Sequence, residues 1–418
     1  MTDDRLDHLA DVAARLWPSP HVATLAGGPG GGPGGGHGVL GSVPMDEYLV
    51  LPSRHRPRLL APTGRRAAAA VVRHHGEGRN ASARLKAGVL ALGLRAGLGT
   101  LVFRDRLQVN APEGTTADTL LTHLATVLGR DVVMGMHLGA PRANRKPVLQ
   151  LVSRDGETFA YAKLGVDPLT DALVDREAAA LTELASAVPS VVRVPALLHH
   201  DSWRGHRLLV QSSLPVWSRR RPMSEERLAA AVRETAEIGG LSESGLGRSP
   251  FWADLNERVE HLPAGPTVDR LRRLLGLLSP AAADVPIMVG ASHGDWTPWN
   301  MACVDEGLLV WDWERFRHHV PLGFDLLHHR LQTRLVTRLE NPEASARQLV
   351  QEGGALLRPL GVATDAAMVT TLLYLADLAT RYLADRQLEA GARLGDVGAW
   401  LLPALADGVE QRGTNAWA

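Results

Sequence analysis

The stretch Ser292-His-Gly-Asp-Trp-Thr-Pro-Trp-Asn300, continued by Leu308-Leu-Val-Trp-Asp-Trp-Glu314, sets an aspartate, an asparagine and a second aspartate in close succession. The three side chains, Asp295, Asn300 and Asp312, have the spacing that phosphoryl transfer requires. One carboxylate, Asp295, can orient and deprotonate an attacking hydroxyl. The amide oxygen of Asn300 and the carboxylate of Asp312 can hold the Mg2+ that bridges nucleotide phosphates. Leu308 to Trp311 is an apolar run that fits a buried strand, and Asp312 follows it directly. Val304-Asp-Glu-Gly307 reads as a hairpin turn. A loop, a hairpin and an acid at the strand's end would bring Asn300 and Asp312 to one metal.

A second signal lies upstream. Of 45 basic residues only three are lysines, at 86, 146 and 163. A lysine retained in so arginine-rich a chain is worth inspecting, because the two side chains differ in shape and hydration rather than in charge. Lys163 sits in the strand-like run Thr158-Phe-Ala-Tyr-Ala-Lys-Leu-Gly165, entered from an Asp155-Gly156 turn after Val148-Leu-Gln-Leu-Val-Ser153. Leu173 to Ala185 has helical periodicity and strong helix formers, with Glu177 in its first half and Glu183 as a second acid. A strand lysine followed by a helix glutamate can hold and orient the α and β phosphates of ATP.

The pattern His-x-Asp-x4-Asn resembles the catalytic loop of protein-kinase-like folds. In the form His-Gly-Asp-x-x-Pro-x-Asn it is similar to the aminoglycoside phosphotransferase and choline kinase side of that superfamily. The resemblance covers roughly residues 130 to 385 and rests on Lys163, Glu177, His293-Gly-Asp295, Asn300 and Asp312, in the family's order. It implies an α+β, bilobal fold: a small antiparallel-sheet ATP lobe and a large, mainly helical lobe. By the same resemblance Asp295 is the catalytic base, Asn300 and Asp312 are the Mg2+ ligands, Lys163 binds phosphate, Glu177 orients it, and His293 braces the loop. Cofactors would be ATP and Mg2+, and the substrate a hydroxyl of a sugar, aminoglycoside or amino alcohol. Asp312-Trp-Glu314 stands where a protein kinase has Asp-Phe-Gly, and no Ala-Pro-Glu segment follows it, which favours a small molecule over a protein substrate. The competing readings are a non-catalytic nucleotide-binding or scaffold protein of a biosynthetic pathway and a protein kinase.

Other positions follow from chain order. Val132 to Gly139 is expected to be the first strand and turn of the ATP lobe, with Gly139 letting backbone amides approach phosphate and Arg142, Arg145 or Lys146 adding charge. A basic surface loop is the equal alternative. Arg207 to Pro215 fits an apolar edge strand running into a hinge, where Gln211 and Ser213 would contribute to an adenine pocket. Gly27 to Gly36 contains a glycine fingerprint by composition alone and is a flexible linker, since no strand-to-helix unit surrounds it.

Residues 225–238, 268–278 and 371–383 read as amphipathic helices that suit a helical lobe. Asp325, in Gly323-Phe-Asp-Leu-Leu327, is expected to cap or brace a loop rather than bind metal. Glu314 either joins the metal shell or faces a cationic substrate or caps a turn. His318, His319, His328 and His329 have the wrong spacing for a compact zinc unit and are read as helix-face or loop residues. Trp296, Trp299, Trp311 and Trp313 surround the expected base, either as cleft walls or as core, with core the default for Trp311.

Composition bounds the remaining possibilities. A chain of 418 residues, 45% hydrophobic, holds two or three packed units. A formal net charge of zero with no basic face argues against nucleic acid as the main partner. A single cysteine excludes an intramolecular disulfide framework and fits a reducing cytoplasm. Asp3, Asp4, Asp7 and Asp11 are unlike a secretory leader. The longest apolar stretch, Ala87 to Phe103, contains Arg95 and four glycines, so membrane insertion is not expected. The expected organisation is a flexible segment over residues 1–45, an accessory α/β subdomain over 46–115, a small lobe over 116–214 and a helical lobe over 215–418. Within the accessory part, residues 47–51 and 58–60 read as strands, 65–74 and 81–94 as helices, and 101–103 as a return to a sheet. Capping a substrate, dimerising, or extending the lobe's sheet are all open to it.

Overall fold

The computed structural model describes residues 4–27, 42–77, 81–99, 103–115, 118–139, 142–187 and 189–415. Most of the Gly/Pro run, together with Leu101 and Val102, lies outside the described residues. The chain divides into two compact units. The first comprises residues 1–141, 145–175 and 195–217, and the second residues 142–144, 176–194 and 218–418.

The first unit is built on one antiparallel sheet. Its strands are β1 (Val22–Ala26), β2 (Ser42–Leu51), β3 (Leu59–Pro62), β4 (Arg106–Pro112), β5 (Val133–His137), β6 (Val148–Val152), β7 (Thr158–Leu164), β9 (Leu197–Trp203) and β10 (His206–Ser212). Among the described residues they run in the order β1-β4-β2-β3-β5-β6-β7-β10-β9. The middle of the sheet is buried on both faces, as the alternation of side chains along β2 illustrates. Tyr48 and Val50 join a core with Leu9, Val12 and Leu16 of helix α1 (Asp4–Leu16), with Trp17 just after it, and with Leu120 and Leu124 of α4 (Leu120–Leu128). Leu49 and Leu51 face the other way, onto α2 (Arg65–Glu77) and α3 (Ala81–Arg95), through Ala68, Val71, Val72 and Leu94.

Two expectations change here. Part of the 1–45 segment is not flexible: the spacing of Leu9, Val12, Ala13 and Leu16 gives α1 an apolar face, and β1 pairs with β4. The accessory residues extend the sheet through the β3–β5 pairing, one of the three roles left open to them. Strand β10 is not an edge. Arg204 and Gly205, at φ 49 and 83, turn the chain back so that β9 takes the edge. The return to the sheet expected at 101–103 falls on Leu101 and Val102, outside the described residues; β4 begins at Arg106.

The second unit combines two three-stranded sheets with helices. One sheet orders β11 (Ser242–Gly245), β12 (Pro286–Ser292) and β15 (Arg317–Pro321); the other orders β13 (Met301–Val304), β14 (Gly307–Val310) and β8 (Val192–Arg193). Its helices are the C-terminal part of α5 (Pro168–Ala187), then α6 (Glu225–Glu237), α7 (Pro250–Glu260), α8 (Pro266–Ala282), α9 (Phe324–Gln332), α10 (Pro342–Leu357), α11 (Thr364–Ala384) and α12 (Val397–Asn415). Their starts are written in the sequence: Ser224, Ser249 and Asn341 each accept a backbone N–H as N-cap, the last two followed by proline at the first helical position. Helix α11 is the most deeply packed, with Leu372, Leu373 and Leu375 fully buried. No single helix among the described residues is long and apolar enough to cross a membrane.

Charge pairing fixes α11 against its neighbours. Asp377 accepts from Arg258 of α7 at 2.7 Å and from Arg317 of β15 at 2.5 Å. Burial disfavours the charged carboxylate, but the two guanidiniums outweigh it and hold its pKa at about 2. A depressed folded pKa stabilises above the unfolded value of ~3.9 and is lost as pH falls toward the folded one. Acid unfolding of the wild type should therefore steepen between roughly pH 4 and pH 2. Asp377→Ala should remove that step and cost about 2–3 kcal/mol at neutral pH, less than a sealed pair because both arginines are partly solvated. Urea unfolding across pH checks both.

Candidate active site

The loop after β12 is held by one buried carboxylate. Asp325, in the first turn of α9, accepts from Ser292 Oγ at 3.0 Å, from the His293 amide at 2.9 Å and from the Gly294 amide at 2.9 Å. The brace expected of Asp325 is thus in place. Gly294 has φ +76, and a Cβ there would meet the Arg315 carbonyl at 2.5 Å, so the tight bend admits only glycine. His293 is fully buried against Trp296 and Trp313. Its Nδ1 accepts the Asp295 amide at 3.1 Å, which leaves Nε2–H to donate to the Trp311 carbonyl at 3.1 Å. One imidazole therefore ties the Asp295 backbone to the residue before Asp312.

The Asp295 carboxylate is gripped from two sides. Asn300 Nδ2 donates to Oδ2 at 2.9 Å and to the Asp295 carbonyl at 3.1 Å. His328 Nε2 lies 3.0 Å from Oδ1 and its Nδ1 lies 2.9 Å from the Tyr374 hydroxyl. Burial pushes the His328 pKa below the usual imidazole range, against the pull of Asp295, and pushes the Tyr374 hydroxyl well above its own. A neutral imidazole and a protonated phenol fix the direction of the chain: Tyr374 O–H donates to His328 Nδ1, and His328 Nε2–H donates to Asp295. Burial alone would raise the Asp295 pKa. The His328 hydrogen bond and the Arg381 guanidinium win, holding it well below the ordinary carboxylate range despite the repulsion of nearby Asp312. Arg381 also donates to the Gly294 carbonyl at 2.5 Å.

The hairpin delivers the second acid. Val304 pairs with Gly307 and Met301 with Val310, so the Trp311 amide reaches the Asn300 carbonyl at 3.0 Å. Asp312 comes next, in the left-handed conformation at φ 71 and ψ 54. For a non-glycine residue this is a strained backbone, of the kind that gathers at functional sites. Ligand oxygens of Asp312, Glu314 and Glu177 all lie within 4.8 Å of one another. Glu177 and Glu314 are buried, and Asn144 Nδ2 donates to Glu314 at 3.1 Å. Oxygen-only donors with this much negative charge fit a hard divalent cation such as Mg2+. Because Asn300 donates through Nδ2, its Oδ1 is the atom it can offer to a metal.

The structure therefore gathers Asp295, Asn300, Asp312 and Glu177 in the second unit and adds Glu314. Lys163 belongs to the first unit. It is buried near the C-terminal end of β7, between Val148 of β6 and Leu209 of β10. Gln211 is buried on β10, and Gly139 follows β5. Ser213 spends its amide and its hydroxyl on the Phe159 and Thr158 carbonyls, at 3.0 and 2.9 Å, so neither is available to donate to a base. One sequence reading is corrected. Trp296 and Trp313 are the core tryptophans, whereas Trp311 is only half-buried. His328 is on a helix face as expected, one turn after Asp325, so the same face of α9 braces both the loop and the carboxylate. That i, i+3 spacing was the available signal. Nothing local pointed to Arg381 or Tyr374, which arrive through the packing of α11.

No protein-family model matches the chain, and no curated protein sequence matches it. Solved structures do. A choline kinase from Streptococcus pneumoniae is 13% identical, covering 69% of this chain and 97% of its own, with a TM-score of 0.46. A macrolide 2'-phosphotransferase from Brachybacterium faecium is 18% identical, covering 68% and 97%, with a TM-score of 0.42. A choline/ethanolamine kinase family protein from Mesorhizobium loti is 19% identical, covering 68% and 87%, with a TM-score of 0.37. At these identities and scores the functional reading rests on this chain's own residues.

Proposed function

We propose that this chain is an ATP- and Mg2+-dependent phosphotransferase that moves the γ-phosphate to a hydroxyl of a small molecule. The observation that carries this reading is the Asp295 carboxylate, kept ionised and aimed by His328, Asn300 and Arg381 beside an oxygen-ligand cluster. In the proposed reaction the substrate hydroxyl donates its proton to Asp295 as its oxygen attacks the γ-phosphorus. The new O–P bond forms as the bond to the ADP oxygen breaks, and the protonated Asp295 carboxyl releases its proton to solvent before the next cycle. With so low an affinity for protons, Asp295 contributes mainly by orienting the hydroxyl and accepting its proton late.

Asn300 Oδ1 and Asp312 are the proposed metal ligands, with Glu314 completing the shell. The bound Mg2+ would neutralise charge on the phosphate oxygens. Glu177 has two roles open to it, orienting Lys163 as the resemblance implies or supporting the Asp312 and Glu314 carboxylates it adjoins. Lys163 is proposed to bind the phosphates, Gly139 to line the phosphate loop, and Gln211 and the Ser213 carbonyl to face adenine. Sugars, aminoglycosides and amino alcohols are the substrate classes, favoured over protein because residues 312–314 are not Asp-Phe-Gly and no Ala-Pro-Glu segment follows them.

Asp312→Asn tests the metal assignment. It should raise the Mg2+ concentration for half-maximal turnover by at least about tenfold, while nucleotide binding without Mg2+ stays near wild type. Turnover measured against Mg2+ at saturating ATP decides it, and an unshifted Mg2+ requirement removes Asp312 from the role.

A further inference from the structure

The first unit contains a second cluster of metal-ligand side chains, sharing no residue with the acidic site. His199 and Asp201 lie two apart on β9, the edge strand of the large sheet, and therefore present the same face. His123 joins them from the first turn of α4, whose start is fixed by the Thr119 cap. His123 Nε2 lies 3.0 Å and His199 Nε2 lies 2.9 Å from the same oxygen, Asp201 Oδ2. All three ligand atoms fall within 4.8 Å of one another.

Hydrogen bonding accounts for only one of these two contacts. The His123 contact is a hydrogen bond, but the equally short His199 contact lacks the required geometry. His199 Nε2 is buried with no hydrogen-bond partner, and so is the other carboxylate oxygen, Asp201 Oδ1. Buried polar atoms without partners are rare in native proteins, and an ion is one of the few explanations. Two imidazole nitrogens and a carboxylate oxygen are a zinc donor set, which holds the ion at about 2.0–2.2 Å. Ligand atoms around a tetrahedral ion then stand roughly 3.4 Å apart, a small opening from the separations present here. The side chains are 26%, 27% and 29% exposed, so solvent can reach the ion and water can take the fourth position.

We infer that His123, His199 and Asp201 form a Zn2+ site that ties α4 to the open edge of the sheet. Imidazole ligands select zinc over Mg2+, which separates this site from the carboxylate cluster. The inference does not depend on the phosphotransfer reading.

The test uses the full chain, untagged and stripped of metal, titrated with Zn2+ alone against a chromophoric chelator, and with Co2+ for its visible ligand-field bands. The wild type should take up a tight equivalent of Zn2+, give a Co2+ spectrum of tetrahedral intensity, and unfold at higher temperature with Zn2+ than without. His199→Gln and the near-isosteric Asp201→Asn should each weaken that equivalent at least about tenfold and abolish the Co2+ bands. Exposed His55→Gln should leave both unchanged. Circular dichroism confirms that each variant is folded. Should His199→Gln fail to fold, Asp201→Asn and His123→Gln carry the comparison. Absence of tight Zn2+ uptake by the wild type, or uptake and Co2+ bands surviving in the folded variants, overturns the inference.

Discussion

Asp295→Asn is expected to lower kcat by about 10²–10⁴ while leaving the KM for ATP within a few-fold of wild type. The substitution keeps an oxygen for the His328 N–H but turns an amide toward Asn300 Nδ2, where an acceptor stood. The loop itself is tied down by Asp325 and His293, so folding and nucleotide binding should survive. What disappears is the charge that accepts the hydroxyl proton. The wild-type pH profile supplies an independent check. Because the folded pKa of Asp295 is depressed, the carboxylate is ionised everywhere above the ordinary carboxyl value, and kcat/KM should show no acid limb from it between about pH 5 and 8. An asparagine variant with wild-type turnover would remove Asp295 from the chemistry.

Asp325→Ala should have the largest effect on stability, about 3–5 kcal/mol. Three donors now bonded to one buried carboxylate, the Ser292 hydroxyl and the His293 and Gly294 amides, would be left without an acceptor. Each is buried or nearly so, and an unsatisfied buried donor costs more than the bond itself was worth. Asp325→Asn retains one acceptor oxygen but aims an amide at a donor, so it should recover only part of the loss. Urea unfolding measures the stability. Parallel assays of turnover should show activity falling further than the folded fraction, because the loop that carries Asp295 loses its shape first.

Much of this site was legible in the sequence because its geometry is local. Asn300 and Asp312 are joined by a hairpin whose turn, Val304-Asp-Glu-Gly307, is written in turn residues, and whose strands pair Met301 with Val310. The family resemblance implied a brace at His293, and Asp325 was readable as one from its position at a helix start. The brace on the carboxylate was harder. His328 belongs to a helix already recognised, yet its contact with Asp295 depends on how α9 meets the loop. Tyr374 and Arg381 depend on α11, some eighty residues further along the chain than Asp295. In the first unit the failures have the same origin. Strand β9 carries His199, His200 and Asp201, polar residues that hide a period-two pattern, and so the edge was assigned to β10. The amphipathic stripe of α1 was present in the sequence but overshadowed by the glycine-rich run behind it.

The most direct test is a product screen. Purified protein, ATP and Mg2+ are incubated with sugars, aminoglycosides, amino alcohols and nucleosides, and phosphorylated product is detected by mass beside the Asp295→Asn protein. The expected result is a phosphate ester formed on a hydroxyl of one of these classes by the wild type and lost in the variant. Nucleotide binding with no product from any class, or equal product from both proteins, would contradict a phosphotransferase built around Asp295.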